Sequence, residues 1–347
     1  MRHDLRHPQP PRSRETVSTL RAIGAIRRDP IVLDPSMSVM EAFAAVTRGC
    51  LDHITTAAAV ARTSEGPEGI HQLRVGIRRL RAAFSVFGPA LPSRRPQVVT
   101  RLRTLQQRLG AAREMDVLLE ETIARMPGML RNRRGMRGLV RRVQTSRVAC
   151  RRSARAALAS RRCTTLLAQL GPAIDRYVRR SQNGPAGARM NEPIAAFAAE
   201  VLRSRDRKTR KLGDRIGDLG PDELHKLRIR IKKLRYTAEF FRDLVPGART
   251  ERYVRALKDL QQVLGTAHDA VVAPGLIARI GRRGGAEAAR AAIGVQDWAK
   301  ACFNQAGRKL DRIWGRFAKY ECPCDTVQRG QGDARRPTPY GRWISLY

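Results

Sequence analysis

Apolar residues recur along most of this chain at the three- and four-residue spacing that gives a helix one buried face. The stretch 36–62 carries Val39, Phe43, Val46, Leu51 and Ile54 at that spacing. The sequence contains no alternation of apolar and polar residues bounded by hairpin turns, which is the pattern of a half-buried strand. The pattern therefore predicts an all-α fold.

Turn residues divide this pattern into separate helices, as at Gly66-Pro67 and Gly88-Pro89. The predicted helices span 36–62, 67–88, 94–109, 114–127, 131–170, 192–212, 221–245, 248–264, 268–281 and 286–320. A polar stretch rich in Gly and Pro at 181–191 is the predicted linker between two series of helices. We therefore predict one helical repeat at 36–180 and a second at 192–320. A loosely ordered basic leader at 1–35 precedes them, and a flexible tail at 321–347 follows.

One basic helix is written twice in the sequence. Its first copy has cations at His71, Arg74, Arg78, Arg79 and Arg81, and these recur 154 positions later, with no insertion, as His225, Arg228, Lys232, Lys233 and Arg235. The two series of helices are therefore expected to be two bundles related by internal duplication. A set of cations used twice suggests a long or repetitive anion as the partner.

The duplication extends into the next helix. The segment 102–110 matches the segment 257–265, and both contain Leu-x-x-Leu-Gln-Gln-x-Leu-Gly. This match aligns Arg103 with Lys258, so both cations are candidates for the same ligand-binding face. We expect Gly110 and Gly265 to end their helices in the left-handed conformation.

On a helical wheel, each basic helix has an apolar edge and a separate cationic flank. Leu73, Ile77 and Leu80 share one line in the first copy, and Leu227, Ile231 and Leu234 share it in the second. In both copies the cations cluster to the same side of that line. A charged flank of a single helix is often only a solvated face. The repetition of the same flank favours a ligand face.

The chain carries a large excess of positive charge. It has 68 Lys and Arg against 31 Asp and Glu in 347 residues, and the formal net charge is +37. Self-repulsion on this scale predicts a polyanionic partner. Most of the cations are Arg, whose planar guanidinium binds phosphate oxygens in pairs. A codon bias towards Arg would explain the choice of Arg over Lys, but it would not explain the charge imbalance.

Targeting signals are not evident in the sequence. No apolar run reaches the roughly 18 residues that span a bilayer. The first eleven residues are charged and Pro-rich, without the apolar core of a signal peptide. We therefore expect no membrane insertion and a cytoplasmic location.

The duplicated motifs resemble those of the CHAD domain, the conserved histidine α-helical domain. The resemblance rests on an acid three residues before His71 and before His225, on the basic helix that follows each histidine, and on the Leu-Gln-Gln motif with an acid soon after it. It covers about 36–320. It implies two all-helical bundles related by a pseudo-twofold axis around a basic cavity, and binding of inorganic polyphosphate. Family members are found with polyphosphate granules and some with polyhydroxyalkanoate granules. The acids depart from the family's pattern, since Arg113-Glu114-Met115-Asp116 in the first half has only His268-Asp269 as its counterpart in the second.

Two other classes of function stay open at this point. Non-specific nucleic-acid binding shares the same electrostatics, although the sequence has no helix-turn-helix or zinc-finger pattern and only 5% aromatic residues. A metal-dependent phosphate-processing enzyme would need a carboxylate cluster or a P-loop. Glu114, Asp116 and Asp269 are the candidate ligands, but two of them fit acids at the start of a helix. We therefore predict no catalytic residue, no metal site and no cofactor. Whether His71 and His225 contact the ligand or are structural stays open.

Overall fold

The computed structural model describes residues 31–64, 66–92, 95–182, 187–282 and 285–324. In this part of the chain almost every ordered element is a helix, which confirms the all-α prediction. The α-helices are α1 (Val39–Thr63), α2 (Glu68–Val86), α3 (Gln97–Arg108), α4 (Gly110–Val117), α5 (Gly128–Arg131), α6 (Met136–Ala159), α7 (Arg161–Ala168), α8 (Leu170–Gln182), α9 (Gly187–Met190), α10 (Ile194–Gly213), α11 (Pro221–Phe240), α12 (Ala248–Arg282) and α13 (Gly285–Ala318). The predicted leader up to residue 30, the tail from 325 and part of the linker lie outside the described residues.

The two predicted repeats meet at their first helices. Ser38 begins α1 with a reciprocal cap, in which its hydroxyl accepts from the Glu41 amide and its own amide donates to the Glu41 carboxylate. The Val39 amide donates to the Glu192 carbonyl at 2.9 Å, and the Ile194 amide donates to the Met37 carbonyl at 2.9 Å. Val39 and Ile194 are 155 positions apart, and so are Met37 and Glu192, so the two bonds join equivalent residues in opposite directions. A local twofold axis requires such a pair of bonds. The twofold relation over the full length of the two bundles stays a prediction.

The apolar stripes of the two basic helices are buried, as predicted. Leu73, Ile77 and Leu80 of α2 are fully buried, and Leu227, Ile231 and Leu234 of α11 are also fully buried. Phe87, just after α2, lies 5.7 Å from the ring of Phe197 and 5.7 Å from that of Phe241. Buried residues of both predicted repeats therefore belong to one continuous core.

The helix α12 differs from the prediction, because it runs without a break through Gly265 and Pro274. Leu264 and Ala267 on either side of Gly265 are buried, so packing keeps the helix continuous there. The described glycines with positive φ are Gly135, Gly247 and Gly285, so the predicted left-handed conformation of Gly110 and Gly265 is wrong. At Gly110 the chain passes directly from α3 into α4. Tertiary packing has overridden the local signal of glycine.

A second, smaller apolar cluster joins the end of α4 and α6 to the hairpin of α12 and α13. Its central residues include Leu118, Leu139, Ile277 and Val295. Among the described helices, α12 alone has the length and composition that could cross a membrane, with a mean hydropathy of 1.2 in its most apolar window. It packs along both α11 and α13.

Candidate anion-binding site

The cationic flanks of α2 and α11 face each other. The two helices pack together, and the Arg79 guanidinium of α2 lies 5.5 Å from the centre of the Phe240 ring of α11. Arg78 of α2 is close enough to Arg228 and Lys232 of α11 to lower the pKa of both. The fold therefore brings cations from both copies of the duplicated helix to one place.

Lys232 lies at the centre of this group. Burial, as the largest cause, and the neighbouring Arg228, Arg78 and Arg235 together lower the pKa of Lys232 to about 7, while Asp269 opposes them. Burial also lowers the pKa of Arg228, with Asp269 raising it and Arg78 lowering it. The Nε atom of Arg228 is buried without a hydrogen-bond partner in the described structure. These cations repel one another and retain unused donors.

Two equivalent arginines make the same hydrogen bond in the two halves. Nη1 of Arg81 donates to the side-chain oxygen of Gln106 at 2.8 Å, and Nε of Arg235 donates to that of Gln261 at 2.7 Å. The glutamines come from the duplicated Leu-Gln-Gln motif, so this motif positions the cations. The halves differ at the next contact, because Arg235 also pairs with Glu239, where the first half has a serine.

An open cavity of about 320 Å³ lies against the flank of α2 and brings three predicted cations together. It is lined by Arg74, Arg81, Arg103, Gln106, Gln107, Gly110 and Glu114. Burial, as the largest cause, and Arg78 together lower the pKa of Arg74 to about 10, while Glu114 opposes this shift. The Nη1 atom of Arg74 donates to the Gln106 carbonyl, and its buried Nε has no partner among the described groups.

The two predicted histidines occupy different environments. His71 is half-buried, and its pKa is lowered by burial first and then by Arg113. His225 is exposed, and its ring centre lies 5.1 Å from that of His268. Burial lowers the pKa of His268 to about 4, and nearby Arg228 and His225 contribute. His71 and His225 therefore lie at the site, and their contact with a ligand stays a prediction.

His268 and Asp269 belong to the site, although the sequence marks them only as a weak counterpart of the acid motif in the first half. Burial raises the pKa of Asp269 to about 6, Arg228 opposes this shift and Glu121 adds to it. The register of the duplicated motif aligns these two residues with Arg113 and Glu114. Glu114 raises the pKa of Arg74 as Asp269 raises that of Arg228, so the alignment was a usable signal.

The prediction that Glu114 and Asp116 begin a helix is wrong. The helix α4 begins at Gly110, so both acids lie in its second half. Asp116 is completely buried, and it accepts hydrogen bonds from Arg147 at 2.8 Å and from Arg151 at 2.6 Å. It therefore ties α4 to α6. No group of three His, Cys, Asp or Glu side chains suited to a metal ion occurs in the described ranges.

The remaining predicted cations lie at the edge of the site. Arg103 is exposed and close enough to Arg81 to lower its pKa, after the larger effect of burial. Lys233 and Lys258 are exposed, and their ammonium groups form no hydrogen bond or ion pair with any side chain that the structure describes. The structure therefore groups Arg74, Arg81 and Arg103 on one side of the site. It groups Arg78, Arg228 and Lys232 at the centre.

Comparison with solved structures supports this fold assignment. The crystal structure of the CHAD domain from the plant Ricinus communis has a TM-score of 0.75 and 30% sequence identity, and the match covers 85% of this chain and 97% of that one. PptA from Streptomyces chartreusis has a TM-score of 0.61 at 16% identity, covering 80% of this chain and 100% of PptA, and so shares the fold.

Curated relatives are found in Mycobacterium tuberculosis. Uncharacterized protein MT2285 (strain CDC 1551 / Oshkosh) and Uncharacterized protein Rv2226 (strain ATCC 25618 / H37Rv) are each 32% identical over 215 residues. The match covers 59% of this chain but 39% of the relatives, so the chain spans about two fifths of their length.

The CHAD domain family model matches residues 45–278, a range that contains both basic helices and both Leu-Gln-Gln motifs. The matched range is more than half of the chain, and the fold agrees with that of a solved CHAD domain. The chain belongs to the CHAD domain family.

Proposed function

We propose that this protein binds inorganic polyphosphate, without catalysing a reaction, through the facing cationic flanks of α2 and α11. The observation that carries the proposal is the group of Arg78, Arg228 and Lys232, in which burial and mutual repulsion lower the pKa of Lys232 to about 7. A polyanion that enters this group relieves the repulsion and satisfies the unused arginine donors.

The balance of charge at the site supports this proposal. Glu121 already accepts a hydrogen bond from Arg113 at 2.7 Å, and Glu239 is paired with Arg235. Glu114 and Asp269 are the acids that face the remaining arginines and the lysine. Positive charge is therefore in excess.

Polyphosphate matches the chemistry of these side chains. Guanidinium groups offer several donors in fixed positions and can bind successive phosphate oxygens in pairs. Recognition of a chain without bases needs no aromatic platform, and the group at the centre consists of Arg and Lys side chains. The family resemblance points in the same direction. A cytoplasmic location, including the surface of a polyphosphate or polyhydroxyalkanoate granule, belongs to this proposal.

The experiment that tests the proposal compares long-chain polyphosphate with duplex DNA at about 0.3 M salt, where diffuse contacts are largely screened. Fluorescence anisotropy with labelled ligands measures both affinities. We expect polyphosphate to stay bound and DNA to dissociate. Secondary, non-specific nucleic-acid binding is expected only at low salt.

Two charge-matched variants separate a defined site from diffuse attraction. One replaces Arg78, Arg228 and Lys232 by Gln, and the other replaces the exposed Arg137, Arg142 and Arg152 of α6 by Gln. The first should lose most of the polyphosphate affinity at 0.3 M salt, and the second should retain it. Equal losses, or retention of DNA alone by the wild-type protein, would contradict a dedicated site.

A further inference from the structure

A second cavity lies beside the polyphosphate site, between α12, α13 and the turns that follow α4. Its volume is about 740 Å³, within the range of small-molecule sites, roughly 300–1,000 Å³. It meets the first site at its wall, where Asp269 lines the cavity and also faces Arg228.

The register of the α12 and α13 hairpin gives this cavity two different ends. The helices are antiparallel, since Gly281 lies against Ala288 near the turn and the ring of Tyr253 lies 5.4 Å from that of Phe317 near the far end. This register places Asp269 opposite the turns of α13 that carry Trp298 and Cys302. Gln262 lies opposite the turn that carries Arg308, so the cavity is polarised along α13.

One end of the cavity is cationic. Arg308, Lys309 and Arg312 of α13 line this end, Arg125 also lines the cavity, and all four side chains are exposed. None of these four has an ion-pair partner among the residues that the structure describes. This end offers donors that suit a group of phosphates.

The other end has an aromatic ring and two carboxylates. Trp298 is half-buried and packs against the smaller apolar cluster, which holds its indole in place. Glu121 and Asp269 line the cavity, and Glu121 also accepts from Arg113. Gln305, between Cys302 and Arg308 on α13, and Gln262, opposite Arg308, provide amide donors and acceptors.

Bare polyphosphate has no planar or apolar part that could use this second end. A nucleotide has both parts, because its base stacks on an indole and its exocyclic amino group donates to a carboxylate. Trp298 and Arg308 are ten residues apart, which is about 15 Å along the helix axis. A nucleoside triphosphate can span that separation, whereas inorganic triphosphate cannot.

We propose that this cavity binds a nucleoside di- or triphosphate, with the base on Trp298 and the phosphates on Arg308, Lys309 and Arg312. The site is separate from the flanks of α2 and α11. It gives the protein a small-molecule ligand in addition to polyphosphate.

Equilibrium dialysis with labelled ATP, in EDTA and about 0.15 M salt, tests this proposal, with inorganic tripolyphosphate measured in parallel. We expect ATP to bind about tenfold more tightly than tripolyphosphate, since stacking of the base adds to the phosphate contacts. Trp298→Leu should remove that advantage without changing tripolyphosphate binding. Trp298→Phe, which keeps an aromatic face, should preserve it and also controls for folding. The double variant Lys309→Gln with Arg312→Gln should weaken both ligands.

The outcomes separate this site from the polyphosphate site. ATP binding that is unchanged in Trp298→Leu would overturn the nucleotide proposal. Equal affinity for ATP and tripolyphosphate in the variant lacking Arg78, Arg228 and Lys232, where the polyphosphate site no longer contributes, would also overturn it. Loss of ATP binding in the variant lacking Arg78, Arg228 and Lys232, with no loss in the Lys309 and Arg312 variant, would also overturn it. Long-chain polyphosphate binding is measured on the same variants. The nucleotide proposal and the polyphosphate proposal can therefore be contradicted independently of each other.

Discussion

Binding of polyphosphate should be accompanied by uptake of a proton on Lys232. The pKa of Lys232 is about 7, because the side chain is half-buried and lies beside Arg228 and Arg78. At pH 8, one unit higher, about nine in ten of these side chains are neutral in the free protein. A bound polyanion favours the charged form and returns the pKa towards the ordinary value of 10.5.

The size of the effect follows from this shift. Binding should take up about 0.9 proton per protein on Lys232 at pH 8 and about 0.1 proton at pH 6. The affinity should accordingly fall by about tenfold between pH 6 and pH 8 from this group alone. Other titratable groups also face Lys232 or its arginine neighbours. Asp269 has a pKa of about 6 and His268 of about 4, so both are largely deprotonated at pH 8.

The stability of the free protein should respond to pH in the opposite direction. The pKa of Lys232 is lower in the folded protein than in the unfolded chain. Between about pH 7 and 10.5 the unfolded chain therefore binds more protons, and stability from this group rises with pH. Ligand affinity falls over the same interval.

Isothermal titration calorimetry at pH 8, in two buffers of different ionisation enthalpy, measures the proton uptake directly. Lys232→Arg keeps the charge at every pH, so it should remove about 0.9 proton from the uptake and bind polyphosphate more tightly than the wild type at pH 8. Lys233→Arg is the matched control, because its side chain is exposed. Binding by the wild type at pH 8 without proton uptake would contradict a role for Lys232, and so would equal proton uptake by Lys232→Arg and the wild type.

Two further predictions concern stability. Asp116→Ala removes the buried partner of Arg147 and Arg151, and it should lower the free energy of unfolding, measured with urea, by about 3 kcal/mol. Glu120→Gln, at an exposed ion pair, should lower it by less than about 1 kcal/mol. Equal losses in the two variants would contradict the role given to Asp116. In Gly213→Ala the new Cβ would lie 2.0 Å from the buried Trp314 ring, so this variant should lose about 3 kcal/mol or more. In Gly265→Ala the new Cβ would meet no atom within 4 Å. Because α12 is continuous there, the free energy of unfolding should rise by up to about 1 kcal/mol, and a decrease would contradict a continuous helix at Gly265.

The features that the sequence predicts well are those set by local pattern. The apolar stripes of α2 and α11 are buried as the helical wheel indicates, since each stripe needs only the 3.6-residue period to be recognised. The same wheel places the cations beside each stripe, whereas the packing of α2 against α11 that brings the two sets together is a long-range contact.

The features that the sequence does not predict depend on distant contacts. The sequence predicts Asp116 as an acid at the start of a helix. Its burial beside Arg147 and Arg151 depends on the packing of α6 against α4, which the local sequence does not indicate. The sequence predicts a helix end at Gly265, but α12 continues through this residue because Leu264 and Ala267 are packed in the core. The cavity with Trp298 is formed by segments far apart in sequence, so no local motif could indicate it.

The two halves of the site have diverged in the kind of charge that they supply. In the first half Arg74, Arg81 and Arg103 line an open cavity, and their guanidinium groups stay charged throughout the physiological pH range. In the second half Glu239 pairs with Arg235, and Lys232 and Asp269 have pKa values near 7 and 6.

All nine lysines of the chain lie at or after Lys208, so the titratable ammonium groups also belong to the second half. Duplication alone would give two faces that respond to pH in the same way. The observed divergence instead predicts that the first half holds polyphosphate at any physiological pH. The second half adds affinity as the pH falls through 7, because Lys232 then gains its proton and Asp269 begins to lose its charge.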